Sequence, residues 1–275
     1  MILLLGGGRA LLMQLAHPKV AEGVAIHSRF RADPLGRLVQ TMNTMWSILF
    51  DEAARARASL ERIERIHRRV HGIVEQEDVA QSGAPYDAQD PDLLLWVHAT
   101  LVDSALRTFE LFVGALPDPD RRRYYEETRR LAALFGVPDS TVPVTLDAFH
   151  EYIRARIRSE EIFAGSTARS LAGAILYPRH WLLRAGGPLF AFITTGLLPE
   201  ELRRAYGLPW GPRKEKALRL LGRLVRGLLP FVPPIFRVVP QARRAERSPH
   251  PGREETADRE RPALERPAAA RENMP

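Results

Sequence analysis

Apolar residues recur along most of this chain at intervals of three and four positions, which is the spacing of amphipathic α-helices. The most apolar stretch runs from Asp90 to Leu116, and its apolar residues cover nearly the whole circumference of a helix. Asp90 is a suitable N-cap, and Pro91 and Asp92 suit the first turn of a helix. A helix that is apolar on all sides is buried on all sides. The pattern therefore predicts that this segment is the central helix of the domain.

Other helical segments lie on both sides of the central one, separated by glycine, proline and polar breaks. Strand patterns are hardly suggested anywhere. The sequence therefore predicts an all-α fold, a single globular multi-helix domain built around the buried central helix. The other predicted helices are 9–18, 36–50, 51–72, 118–135, 145–159, 165–177, 188–198, 199–206 and 212–229, with a loop over 76–89.

Length and composition indicate one main domain followed by a tail. The chain has 275 residues, of which 45% are apolar, enough for a normal core. Residues 1–245 are predicted to form the helical domain. Residues 246–275 are charged, rich in proline and alanine and free of aromatic residues, which predicts disorder. The apolar start of the chain is too short for a signal peptide, and no window has eighteen consecutive apolar residues. A soluble cytoplasmic protein is therefore expected.

The formal net charge of +7 raises the question of an anionic partner. Lysine occurs only at Lys19, Lys214 and Lys216, and many arginines alternate with glutamates along helix faces. This distribution is typical of solvated helix surfaces, so no nucleic-acid partner is predicted.

One segment, 216–239, has the pattern of a helix that could lie on a membrane surface. An apolar stripe runs opposite three arginines, as in interfacial helices, but the same stripe suits a helix packed on the domain. Both interpretations are open. The stripe consists of Ala217, Leu220, Leu221, Leu224 and Leu228, and the arginines are Arg219, Arg223 and Arg226.

The chain has no cysteine. Disulfides, thiolate-ligated haem, iron–sulfur clusters and cysteine-type zinc sites are therefore excluded. Any redox chemistry has to come from a bound cofactor.

The central helix carries a histidine at its middle, His98, on the face that it shares with Leu94 and Leu101. Spacing leaves two interpretations open. His98 is either a core histidine hydrogen-bonded to a carbonyl or hydroxyl group, or an axial ligand of haem iron. Asp103, on the same helix, is predicted either to bridge to an arginine or to orient a polar group near a haem.

A second histidine group lies on the predicted helix 51–72. Glu64 and His67 form a Glu-x-x-His pair, which is half of a di-iron carboxylate site, and His71 follows one turn later. The second Glu-x-x-His that such a site needs is missing, and so is the His-Glu-x-x-His motif of zinc hydrolases. The histidines are either solvated helix residues or part of a site formed with another cofactor.

Three blocks of sequence resemble the family of the fungal oxygenase MpaB and the rubber oxygenases, also called latex clearing proteins. The first block is LLGGGRALL at 4–12 with QLAHP at 14–18 and GVAIHSRF at 23–30. The second is LLLWVHATLVDS at 93–104, and the third is GLLPEELR with YGLPW at 196–210. They follow the family's order along the chain.

This resemblance implies a domain that holds one haem b in a haem pocket, with His98 as the proximal iron ligand. It implies an oxidoreductase that uses dioxygen on a hydrophobic, unsaturated substrate, isoprenoid-like or lipid-like, by oxidative cleavage of a carbon–carbon double bond. The alternatives are a non-catalytic haem-binding or sensing protein and a helical membrane-surface protein without a cofactor.

The resemblance also suggests roles for residues around the haem. Arg65 and His67 are the catalytic candidates, for contact with bound oxygen or with a haem propionate. Arg62 and Arg9 are candidates for binding a haem propionate, since guanidinium pairs with carboxylate through two parallel hydrogen bonds. His17 is expected near the cofactor or in a buried hydrogen bond. Latex clearing proteins have a lysine in the region that corresponds to 62–68, and this chain has none there.

Overall fold

A computed structural model describes residues 2–28, 34–177, 186–233 and 242–243. It confirms the predicted all-α domain. The predicted tail 246–275 and the end of the 216–239 segment, from 234 on, lie outside the described residues. After a short 3-10 helix at Ile2–Gly6, the α-helices are α1 (Gly7–Leu15), α2 (Pro18–His27), α3 (Pro34–Phe50), α4 (Ala53–His67), α5 (Pro91–Phe112), α6 (Asp118–Leu134), α7 (Leu146–Arg158), α8 (Ser166–Leu176), α9 (Gly187–Leu197), α10 (Glu200–Ala205) and α11 (Pro212–Leu228).

The predicted central helix is α5. The Asp90 carboxylate accepts a hydrogen bond from the backbone N–H of Asp92 at 2.9 Å, which is the expected N-cap. Helices α1, α6, α7, α9 and α11 pack around it. The helix ends at Phe112, before the predicted Leu116, because Gly114 has φ +151°, a value that a helix does not allow.

The first helix, α1, is buried in this core and is bonded to a residue much later in the chain. Leu12 and Met13 are fully buried, and the Leu12 carbonyl accepts a hydrogen bond at 2.7 Å from the Tyr206 hydroxyl. The glycine run before and within α1 serves close packing, since a Cβ atom at Gly6 or Gly8 would collide with a threonine side chain. Pro18 begins α2 and so ends the α1 segment, as predicted.

The prediction for 51–89 was wrong in two respects. Helix α4 ends at His67, and Gly72 does not close it. Instead, β1 (His71–Ile73) pairs antiparallel with β2 (Pro85–Asp87), and Gly72 lies opposite Tyr86. Strand β2 lies in the segment that was predicted as a loop. A Cβ atom at Gly72 would lie 2.8 Å from the Tyr86 hydroxyl oxygen. The glycine therefore permits a close backbone approach to Tyr86, a requirement that local spacing does not reveal.

Helices α3 and α4 pack on each other as a hairpin, and the Ser59 hydroxyl donates to the Ser47 hydroxyl at 3.0 Å between them. All residues of α4 are described, and none of them is buried. Helix α4 therefore contributes no fully enclosed side chain to the core.

No helix among the described residues is both long enough and apolar enough to cross a membrane.

Candidate functional site

His98 lies in the middle of α5 and is only 8% exposed. Desolvation by burial lowers the pKa of His98 to about 4, although a hydrogen bond with the Thr128 backbone on α6 opposes this shift. The imidazole is therefore neutral at physiological pH. A neutral imidazole with one ring nitrogen held by the backbone has the state and orientation of a typical metal-ligating histidine. The same hydrogen bond equally suits a core histidine.

Arg9, on α1, is a buried guanidinium, and each of its three nitrogen atoms has a partner within the protein. It forms an ion pair with Asp103 of α5 and donates to the Ser104 hydroxyl at 2.7 Å and to the Leu197 carbonyl at 2.8 Å. Burial lowers the pKa of Arg9, and the adjacent Asp103 opposes that shift. The prediction that Asp103 bridges to an arginine is confirmed. With its donors used in this way, Arg9 links α1, α5 and α9.

His17 lies at the N-cap of α2 and is buried. Burial and the positive charges of Arg156 and Lys19 lower the pKa of His17 to about 4, so its ring is neutral as well. Its Nδ1 atom has no hydrogen-bond partner in the described part of the chain. A buried polar atom without a partner is uncommon and indicates that a bound group or a water molecule can occupy the adjacent space.

Three further polar side chains escaped the sequence analysis, and one of them, Arg156, lies close enough to His17 to lower its pKa. The Tyr152 hydroxyl and the Trp96 indole nitrogen are buried, and neither has a hydrogen-bond partner among the described residues. Burial raises the pKa of Tyr152 to about 12. Arg156, one turn from Tyr152 on α7, donates to Asp92 at 2.9 Å and pairs with Glu161. The four-residue spacing of Tyr152 and Arg156 was visible in the sequence, but nothing there linked them to His17.

The candidates on α4 have a different environment. Arg62 and Arg65 are exposed and have neither a hydrogen bond nor an ion pair with any described residue. Glu64 makes a weak pair with Arg68 at 3.7 Å, and His67 is half-buried. The guanidinium groups of Arg62 and Arg65 are therefore available to an anionic ligand, whereas the guanidinium group of Arg9 is bound to protein groups.

The structure thus brings together only some of the predicted site residues. Arg9 meets Asp103 at the centre of the domain, and His98 contacts α6. Arg62, Arg65 and His67 share the outer helix of the α3–α4 hairpin. In the part of the chain that is described, no three histidine, aspartate or glutamate side chains come together as a metal-binding group.

The chain is similar to known proteins over most of its length. A family model described as "ER-bound oxygenase mpaB/B'/Rubber oxygenase, catalytic domain" matches residues 1–227. An uncharacterized protein of Mycobacterium bovis and one of Mycobacterium tuberculosis are each 30% identical to it over 230 residues, which is 78% of this chain and 87% of each relative. No solved structure matches the chain. All the candidate residues above lie inside the region that the family model covers.

Proposed function

This chain belongs to the family of the mpaB and rubber oxygenase catalytic domains, and on that premise we propose that it is a haem b-dependent oxygenase. It acts with dioxygen on a hydrophobic, unsaturated substrate of isoprenoid-like or lipid-like structure, by oxidative cleavage of a carbon–carbon double bond. Family membership supports the oxygenase class. The observation that carries the haem assignment is the neutral, backbone-oriented imidazole of His98 in the central helix.

The donor set around His98 fits a haem. Burial keeps the imidazole neutral, the form in which histidine binds iron, and the Thr128 backbone holds the ring in place. Leu94 and Leu101 lie one turn away on the same face, and Leu101 is 40% exposed, so apolar surface is available beside the ring. When bound, the haem supplies the iron that binds and activates dioxygen.

The protein's own residues then bind, orient and exclude water. Arg62 and Arg65 are the proposed propionate ligands because their guanidinium groups have no other partner among the described residues. Alternatively, Arg65 would contact dioxygen together with His67, and Arg62 alone would hold a propionate. Arg9 is less suited to a propionate, since binding one would require Arg9 to leave Asp103. His17 can form one hydrogen bond with a bound group through Nδ1.

A specific observation favours a second candidate for the iron ligand. Leu60, Ile63 and Ile66 give α4 an apolar side, of which Leu60 and Ile63 are only half-buried and Ile66 is 41% exposed. A flat apolar cofactor lying against this side would cover it, next to His67. His67 on α4 and His98 on α5 are therefore the two histidines to compare.

Absorption spectra of the purified protein and of three variants test the haem assignment. We expect a Soret band at about one haem per chain in the unmodified protein and in His71→Ala, and a lost or shifted band in His98→Ala. Added imidazole should restore the band in His98→Ala, which separates a missing ligand from a misfolded domain. A band that is lost only in His67→Ala would assign the iron to α4. The absence of a Soret band after reconstitution with hemin would refute the haem proposal.

Oxygen consumption separates an enzyme from a haem carrier. An isoprenoid or unsaturated lipid should accelerate oxygen uptake by the haem-loaded protein and yield shortened carbonyl products. Unchanged uptake with every such substrate, in a protein that holds haem, would favour the non-catalytic alternative.

A further inference from the structure

Helix α11 presents apolar side chains to solvent. Its domain-facing side is centred on Leu218, which is buried with Phe112 and Ile193, and on Gly222, which lies against Leu111. The apolar stripe predicted from the sequence lies mostly on another side of the helix. Of its residues, only Leu221 packs into the domain. Leu220, Leu224, Leu228 and Phe231 are 62%, 57%, 54% and 82% exposed. Packing on the described domain therefore does not account for this stripe.

The exposed surface of α11 is strongly basic beside its leucines. The helix carries six cationic side chains and one acidic one, Glu215. Glu215 already accepts hydrogen bonds from Trp210 at 2.9 Å and Arg219 at 3.4 Å. The other cationic side chains have no carboxylate partner in the described chain; they are Arg213, Lys214, Lys216, Arg223 and Arg226.

We propose that α11 docks this protein on an anionic lipid bilayer, with Leu220, Leu224 and Leu228 inserted at the acyl boundary and Lys216, Arg223 and Arg226 on the headgroups. Helical geometry supports the arrangement, because residues 220, 224 and 228 lie on one side of the helix and 216, 223 and 226 on the adjoining side. A helix with one apolar and one basic side lies in the plane of the interface.

Charge favours a bilayer over a second copy of this chain. Two α11 helices packed face to face would bring the basic sides of both copies together, and like charges in contact are destabilising. An anionic bilayer supplies both a negative surface for the basic side and an apolar layer for the leucines. This docking does not depend on the haem or on the reaction.

The absence of cysteine allows a direct test, because a single introduced cysteine can be labelled uniquely. An environment-sensitive fluorophore is attached to Leu224→Cys or to the control Leu134→Cys, whose leucine is 56% exposed at the end of α6. Vesicles of phosphatidylcholine, alone or with an equal part of phosphatidylglycerol, are then added. We expect a blue shift for the label at 224 with the anionic vesicles only, and none at 134.

Flotation of unlabelled variants with the same vesicles measures the affinity. Leu224→Asp should weaken binding about tenfold or more, since a leucine is no longer inserted. Lys216→Gln with Arg223→Gln and Arg226→Gln should weaken it about a hundredfold, or about fivefold for each charge. The matched control, Arg122→Gln with Arg130→Gln on α6, should bind like the unmodified protein.

Three results would overturn the proposal. The first is equal binding by Leu224→Asp and the unmodified protein. The second is a label at 224 that is shielded without vesicles, with a mass of two chains in solution, which would assign the stripe to a second copy. The third is a label that becomes accessible and shifts only after deletion of 246–275, which would assign the stripe to the chain's own tail.

Discussion

The central helix α5 and the hairpin helix α4 are both regular helices, but they differ in how far the protein encloses them. On α5, Trp96, Ala99 and Thr100 are fully buried, whereas α4 has no buried residue. The polar groups differ in the same way. Asp103 is buried and paired with Arg9, while Arg62 and Arg65 extend into solvent. The buried ion pair of α5 is thus satisfied within the protein, whereas α4 leaves two guanidinium groups and partly covered apolar side chains available to a ligand.

The largest expected difference between the two helices is in amide hydrogen exchange. Amides of α5 should exchange only through global unfolding, and those of α4 through local opening, because α4 makes few buried apolar contacts. We expect exchange at least about a thousandfold slower in α5, which corresponds to about 4 kcal/mol or more. Mass spectrometry of peptides from both helices measures this. Equal exchange rates in the two helices would contradict this expectation. Slower exchange in α4 after the addition of hemin would identify hemin as a ligand of α4.

Removal of one partner from the buried ion pair should destabilise the protein strongly. Asp103→Ala leaves the Arg9 guanidinium buried and unpaired, for which we expect a loss of about 3–5 kcal/mol in the free energy of unfolding. Glu64→Ala is the matched control on α4. Its pair with Arg68 is exposed, so a loss below about 0.5 kcal/mol is expected. Urea unfolding of both variants provides the measurement, and similar losses would show that Arg9 finds another partner.

Acidification should lower the free energy of unfolding, because the folded protein keeps His98 neutral. The folded protein keeps the pKa of His98 near 4, below the ordinary value of 6.5. Stability is therefore complete above about pH 6.5 and is lost as the pH falls towards 4, where only the unfolded chain takes up the proton. The difference is about 3 kcal/mol.

Urea unfolding at several pH values should show a smaller loss in His98→Gln than in the unmodified protein. The control is His71→Gln, at an exposed position outside the helices. If His98→Gln and His71→Gln keep the same pH dependence, His98 is not the group responsible.

The smallest expected effect concerns two glycines of α11. A Cβ atom at Gly222 would lie 2.7 Å from the Leu111 carbonyl oxygen of α5, so Gly222→Ala should destabilise by about 1–3 kcal/mol. Gly227, on the same helix, has no atom within 4 Å of the corresponding position. Gly227→Ala should stabilise by about 0.5–1 kcal/mol through helix propensity. Thermal unfolding distinguishes the pair, and a neutral Gly222→Ala would mean that α11 moves away from α5 easily.

Local patterns predicted the helices well because periodicity and caps are properties of neighbouring residues. Asp90 and Pro91 marked the start of α5 correctly, and a bridge to an arginine was one of the two interpretations of Asp103. The identity of that arginine was not predictable, since Arg9 lies 94 residues away. Gly72 misled the prediction for the same reason, because its role depends on Tyr86 across the hairpin of β1 and β2.

The candidate site was less predictable than the fold. His98 and His17 were found through their sequence surroundings, but their neutral state results from burial in the folded domain. The unpaired polar atoms of Trp96 and Tyr152 depend on how α5 and α7 pack. The resemblance to a family supplied the proposed cofactor, which no spacing in this chain specifies.

The hydrogen bonds of α1 also fix an order of events during synthesis. Arg9 donates to the carbonyl of Leu197, 188 residues later, and Leu12 accepts from Tyr206, 194 residues later. At about 5–20 residues per second, a ribosome needs about 10–40 s to make the intervening chain. During that time α1 lacks two of its hydrogen-bond partners, although Asp103 and Ser104, which also bind Arg9, follow after only 94 and 95 residues. Helix α1 can therefore complete its hydrogen bonds only after the segment 197–206 has been made.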